Sequence, residues 1–193
     1  MAERVRARDL LREARRLYDD PATGLAAAAQ GAGRTGFASG GEWMRCVLAH
    51  LRGAVPPGPT RGFNLLGTVK YGLASAAALV CLAAAWWLEQ PAVALLVIPA
   101  FYAVEAQMVF LFPLALDESP TLYRKARALT VEAGGTLAVM ATVLPLAGVM
   151  LFGGLTGGGF VRSWCLGCLA ICLWYERVRL GTTAPAPAGA NLS

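Results

Sequence analysis

The stretch Pro91–Leu116, PAVALLVIPAFYAVEAQMVFLFPLAL, leaves the chain few choices. It runs for 26 residues with Glu105 as its only charged side chain. A helix rises 1.5 Å per residue, so about 20 apolar residues cross a hydrocarbon core of about 30 Å. Composition agrees: the 193 residues are 56% hydrophobic and 15% charged, against about 25% charged in ordinary globular domains. The apolar excess is concentrated after Lys70, so a membrane domain is expected behind a polar, arginine-rich segment.

Four spans are predicted, at about 69–88, 91–116, 132–152 and 160–175. The fold class is an all-α integral membrane protein, a four-helix transmembrane bundle with N-terminal cytoplasmic amphipathic helices. Residues 1–68 form the cytoplasmic basic segment, 69–176 the membrane domain and 177–193 a disordered, Pro/Ala-rich tail. Pro99 and Pro113 are expected to kink or break the second span, and Ser119-Pro120 to start the helix leading into the third. Met1–Asp20 lacks the apolar core of a signal peptide, so the first span itself is expected to direct insertion. The chain up to Lys70 holds eleven Lys or Arg, the 117–131 loop three and the C-terminal flank two. Only Arg162 lies in the other loops. Sixteen against one predicts both termini in the cytoplasm, with a bacterial inner membrane as the compartment. That bias accounts for most of the net charge of +5 without a nucleic-acid partner.

Within the polar segment, Val5, Ala7, Leu10, Leu11, Ala14, Leu17 and Tyr18 recur near the helical period, opposite a run of arginines. Such a helix either lies on an anionic membrane surface through Arg4, Arg8, Arg12, Arg15 and Arg16, or packs on its own protein. Residues 24–30 form a short helix. Gly31, Gly33 and Gly36 match G-x-G-x-x-G, but no strand feeds them, so they read as a loop. Gly41–Leu51 reads as an interfacial helix anchored by Trp43.

Two groups of residues are candidates for chemistry. Cys165 and Cys168 form a C-x-x-C one turn below the non-cytoplasmic surface, with Cys172 on the same helix face. A helix N-terminus favours a thiolate, and such a pair can cycle between dithiol and disulfide. Four spans with a C-x-x-C at the outer start of a helix resemble the vitamin K epoxide reductase type of quinone-linked thiol oxidoreductase. That resemblance implies quinone as cofactor and Cys165 and Cys168 as the catalytic pair. The chain departs from the family in the outer loops Glu89–Pro91 and Gly153–Gly159, which carry no cysteine to serve as the second pair. Free cysteines as small apolar filler are the plain alternative.

The second group is Glu105 with Gln107. A carboxylate within a span is costly and suggests either a proton carrier or a polar clasp between helices, with Tyr102 or neighbouring Ser and Thr as partners. His50 stands alone, so no histidine metal site or catalytic triad is expected, and no cofactor is called for outside the quinone reading. The leading expectation is a non-enzymatic scaffold or accessory subunit, with the bilayer and a membrane protein or a second copy as partners. A thiol oxidoreductase and a carrier using Glu105 are the alternatives.

Overall fold

Ala7, Leu10, Ala14 and Tyr18 return at steps of three and four, and the helix they form buries all four on one face. The computed structural model describes residues 5–31, 36–157 and 159–183, and their regular structure is entirely helical. In chain order the α-helices are α1 (Ala7–Asp19), α2 (Leu25–Ala28), α3 (Phe37–Arg52), α4 (Phe63–Trp87), α5 (Val97–Gln107), α6 (Leu111–Leu116), α7 (Leu122–Glu132), α8 (Gly135–Phe152) and α9 (Phe160–Thr183). Three stretches are long and apolar enough to cross a membrane: Phe63–Trp87, Pro91–Leu116 and Gly135–Leu155.

The last helix is the axis of the molecule. From Cys165 to Glu176 every residue of α9 is buried except half-buried Ile171, with α1, α3 and α8 packed around it. Gly40 of α3 lies so close to Trp164 that a Cβ there would sit 2.5 Å from the indole, and Gly41 meets the Phe63 ring at the same distance. These two glycines let α3 wedge between α9 and the start of α4.

Several expectations change. The basic helix α1 lies along α8 and α9, and Arg162 donates to both carboxylate oxygens of Asp19 at 2.8 Å. The charge count places these two residues on opposite sides of a membrane, whereas in the structure they are in contact. The reason is that Leu10 and Ala14 find a protein face to cover them, so α1 is a wall of the fold. The first span starts earlier than expected, at Phe63. The 117–131 loop is largely a helix, α7, and it starts at Leu122 without a side-chain cap from Ser119. The 160–175 segment continues as helix to Thr183. Arg4, Gly33 and residues 184–193 lie outside the described residues.

α4 and the Pro91–Leu116 stretch form an antiparallel hairpin turned at Leu88–Gln90, where Glu89 has φ 52°. Beyond Ala74 only Ala85 of α4 is buried; Leu79, Val80, Leu82, Trp86 and Trp87 are exposed, as are Leu95 and Ile98 opposite them. The second arm is interrupted at Met108–Phe110. Pro113 cannot donate a hydrogen bond to the carbonyl of Val109, which favours a break one turn before it. Pro99 sits in the first turn of α5, where a missing N–H costs nothing, and no break occurs there.

Candidate functional site

At the base of the hairpin the short turn sets Lys70, in the third turn of α4, level with Glu105 of α5. Lys70 Nζ and Glu105 Oε1 are 2.7 Å apart, with the residues only 2% and 7% exposed. The ammonium also lies 5.1 Å from the Tyr71 ring centre and 5.2 Å from that of Phe112, a favourable placement over two π faces. Glu105 Oε2 is sealed from solvent and accepts no hydrogen bond among the described residues. Removing two ions from water costs several kcal/mol each, and their attraction offsets this only when hydrogen bonding is complete. Here it is incomplete, so stability alone does not explain why the pair is kept.

The pair borders a half-open cavity of about 400 Å³ lined by α3, α4, α5, α6, α8 and α9. Phe37, Phe101, Tyr102, Met150, Trp164 and Cys168 are among the residues that line it. Phe37 stacks on Tyr71 at 5.4 Å and on Phe112 at 6.1 Å, which fixes the aromatic wall. Cavities of about 300–1,000 Å³ with apolar walls and a few convergent polar groups are the usual form of ligand sites. With one cation and one anion in contact, this site is neutral overall. Its chemistry suits an uncharged, apolar-bodied molecule, and an ionic one would add an unpaired charge to a low-dielectric interior.

A second polar cluster closes the opposite end of α9. Arg52 donates to Asp117 Oδ1 and Oδ2 at 2.6 and 3.0 Å, and also to Glu176 Oε1 at 3.0 Å. The Tyr175 hydroxyl donates to Asp117 at 2.6 Å, and Arg179 pairs with Glu176 at 2.7 Å. These bonds tie the ends of α3 and α6 to α9. Burial pushes the Asp117 carboxyl up, but the hydrogen bonds from Arg52 and Tyr175 outweigh it and hold the group below its ordinary value. Both carboxylates are paired with guanidinium groups, so the cluster reads as a structural clasp.

The remaining candidates separate. Cys165, Cys168 and Cys172 are free thiols buried under α1, α3 and α8, where apolar surroundings disfavour a thiolate. Cys165 is the sixth residue of α9, beyond the first turn in which the helix dipole acts. Only Cys168 reaches the cavity. Gln107 donates to Thr136 Oγ1 at 2.6 Å, joining α5 to α8. Trp43 is also corrected. It is 2% exposed and its indole donates to the Leu25 carbonyl, so it anchors the interior and no membrane surface. Arg8, Arg12, Arg15 and Arg16 are exposed on the outer side of α1.

Sequence reasoning missed Lys70 as the partner of Glu105 because it set Lys70 at the edge of the first span. The signal was present: one cation and one anion stand at similar distances on either side of a very short turn. The Arg52–Asp117–Glu176 cluster joins residues far apart in the chain, and no local pattern marks it. Among the described residues no three His, Cys, Asp or Glu side chains gather as a metal site. Comparison with protein families, characterised proteins and solved structures gives no match.

Proposed function

We propose that this chain is a membrane protein that works by binding: an accessory subunit that holds a small, uncharged, apolar molecule between its helices. The observation that carries this reading is the 400 Å³ cavity with the buried Lys70–Glu105 pair on its wall. Charged side chains inside membrane proteins are expensive and concentrate where ligands or ions bind. In this reading α4, the Pro91–Leu116 arm and α8 contact lipid, while α9 forms the protein-covered axis. The neutral pair gives a polar group of the ligand a fixed orientation, and the aromatic wall holds its body. Native mass spectrometry of the protein extracted in mild detergent tests the idea. Wild type retains an adduct of discrete mass, and Ala147→Phe, which fills the cavity from α8, loses it while melting normally. No adduct on wild type removes the reading.

The scaffold role draws support from a separate observation, the exposed apolar surface of the hairpin around Leu79, Val80, Leu95 and Ile98. Much of it faces lipid in this arrangement, and a partner helix would fit the same surface. A protein that always runs as a lone monomer after mild extraction argues against this role. The thiol oxidoreductase and proton-carrier readings rank lower. The sulfurs of α9 are buried, and Glu105 is already neutralised by Lys70. Full activity in a Cys165→Ser/Cys168→Ser variant would end the first, and unimpaired transport in Glu105→Gln the second.

A further inference from the structure

A second hollow, of about 470 Å³, lies between the side of α1 and the outer face of α8. Its floor is apolar and open, because Pro145 and Gly148 carry little side chain, and it ends at exposed Phe152. Its rim is polar: Arg15 from α1, and Arg162 and Ser163 from α9. Arg162 is fixed by Asp19 and by the Tyr18 ring, whose centre lies 5.7 Å from the guanidinium carbon. Arg15 is exposed and takes part in no ion pair among the described residues. Two guanidinium groups against one carboxylate leave the rim with one positive charge to be met, and Arg16 next to Arg15 adds to the attraction.

We propose that this hollow holds one anionic phospholipid, with its phosphate on Arg15 and Arg162 and the upper part of an acyl chain over Pro145 and Gly148. Guanidinium groups match phosphate oxygens in geometry as well as charge. The apolar floor selects a lipid over free phosphate, because Pro145, Gly148 and Val149 lead along it to Phe152, whose side chain is exposed. A soluble anion would leave that floor uncovered. The site is separate from the inter-helix cavity, and neither depends on the other.

The test uses the full chain in nonionic detergent, titrated with phosphatidylglycerol or phosphatidylcholine of identical acyl chains and read by native mass spectrometry. Wild type retains phosphatidylglycerol at concentrations about five-fold lower than phosphatidylcholine, the ratio expected for about one basic contact. Arg15→Gln, which breaks no ion pair, removes that preference, whereas Arg61→Gln, an exposed arginine outside the hollow, leaves it. Phe152→Ala weakens retention of both lipids. Equal retention of the two lipids by wild type, or equal effects of Arg15→Gln and Arg61→Gln, overturns the proposal. Millimolar inorganic phosphate that displaces the lipid completely also overturns it, since the chain would then contribute nothing.

Discussion

The Lys70–Glu105 pair sets a sharp asymmetry between single and double substitutions. Removing one partner leaves a buried charge with nothing to meet it. Lys70→Met is therefore expected to destabilise the protein by about 3–5 kcal/mol, as for other broken buried pairs. Lys70→Met with Glu105→Leu replaces the pair by apolar groups of similar size, and most of that stability returns. Melting in detergent measures both, and a double variant as unstable as the single one would show that the pair is essential to packing. Asp117 gives a pH-dependent counterpart. Its folded value lies below the unfolded one of about 3.9. It therefore adds stability above about pH 4 and loses that contribution as the pH falls through its folded value. Asp117→Asn is expected to cost about 1–3 kcal/mol at neutral pH and to flatten the acid limb of the melting temperature. An acid limb identical to wild type would assign the acid sensitivity to other carboxylates.

At the scale of elements, apolar stretches were legible because lipid and protein interior both demand them. The three long apolar stretches stand where the composition rises, and the turn at Leu88–Gln90 follows from the charge of Glu89 and the proline at 91. What the chain could not announce was which helix would cover which. The Cys165–Tyr175 run is as apolar as a lipid-facing span, and only the placement of α1 and α3 over it reveals an interior helix. The same ambiguity misplaced Trp43, since an indole seeks an interior carbonyl as readily as a headgroup. Of the candidate site, Glu105 could be singled out from its cost in lipid, whereas Lys70 and the cavity needed the hairpin register and six converging helices. The wedge of α3 depends on closeness that a single side chain can test. Gly41→Val would drive two methyl groups into the Phe63 ring, and such overpacking costs about 1–3 kcal/mol. Thermal melting checks this. An unchanged melting temperature would mean that α3 can withdraw from α4 freely, and the cavity wall at Phe37 would then be loose as well.

For the whole molecule, the contact between α1 and α9 bears on how the chain can sit in a membrane. A four-span bundle with cytoplasmic termini requires the segment before the first span and the start of α9 to face opposite compartments. The ion pair of Asp19 with Arg162, and that of Glu13 with Arg177 further along the same two helices, bind α1 along much of α9. Separating them would expose Leu10 and Ala14 together with the α9 surface they cover, and it would break both pairs. Intact packing of α1 on α9 therefore keeps both segments on one side, which requires that not all three apolar stretches before α9 cross the bilayer. Single reporters settle the matter in sealed vesicles. In a background with Cys46→Ser and Cys81→Ser, Arg16→Cys and Val161→Cys place one exposed thiol on α1 and one at the start of α9. A membrane-impermeant maleimide is expected to label both from the same side, while Cys165, Cys168 and Cys172 stay unlabelled until the protein is denatured. Labelling of the two positions from opposite sides would restore an arrangement in which all three apolar stretches before α9 cross, the four-span one included. It would then require α1 to leave α9 when the chain enters a bilayer, and the arginine-rimmed hollow between them could not hold a lipid.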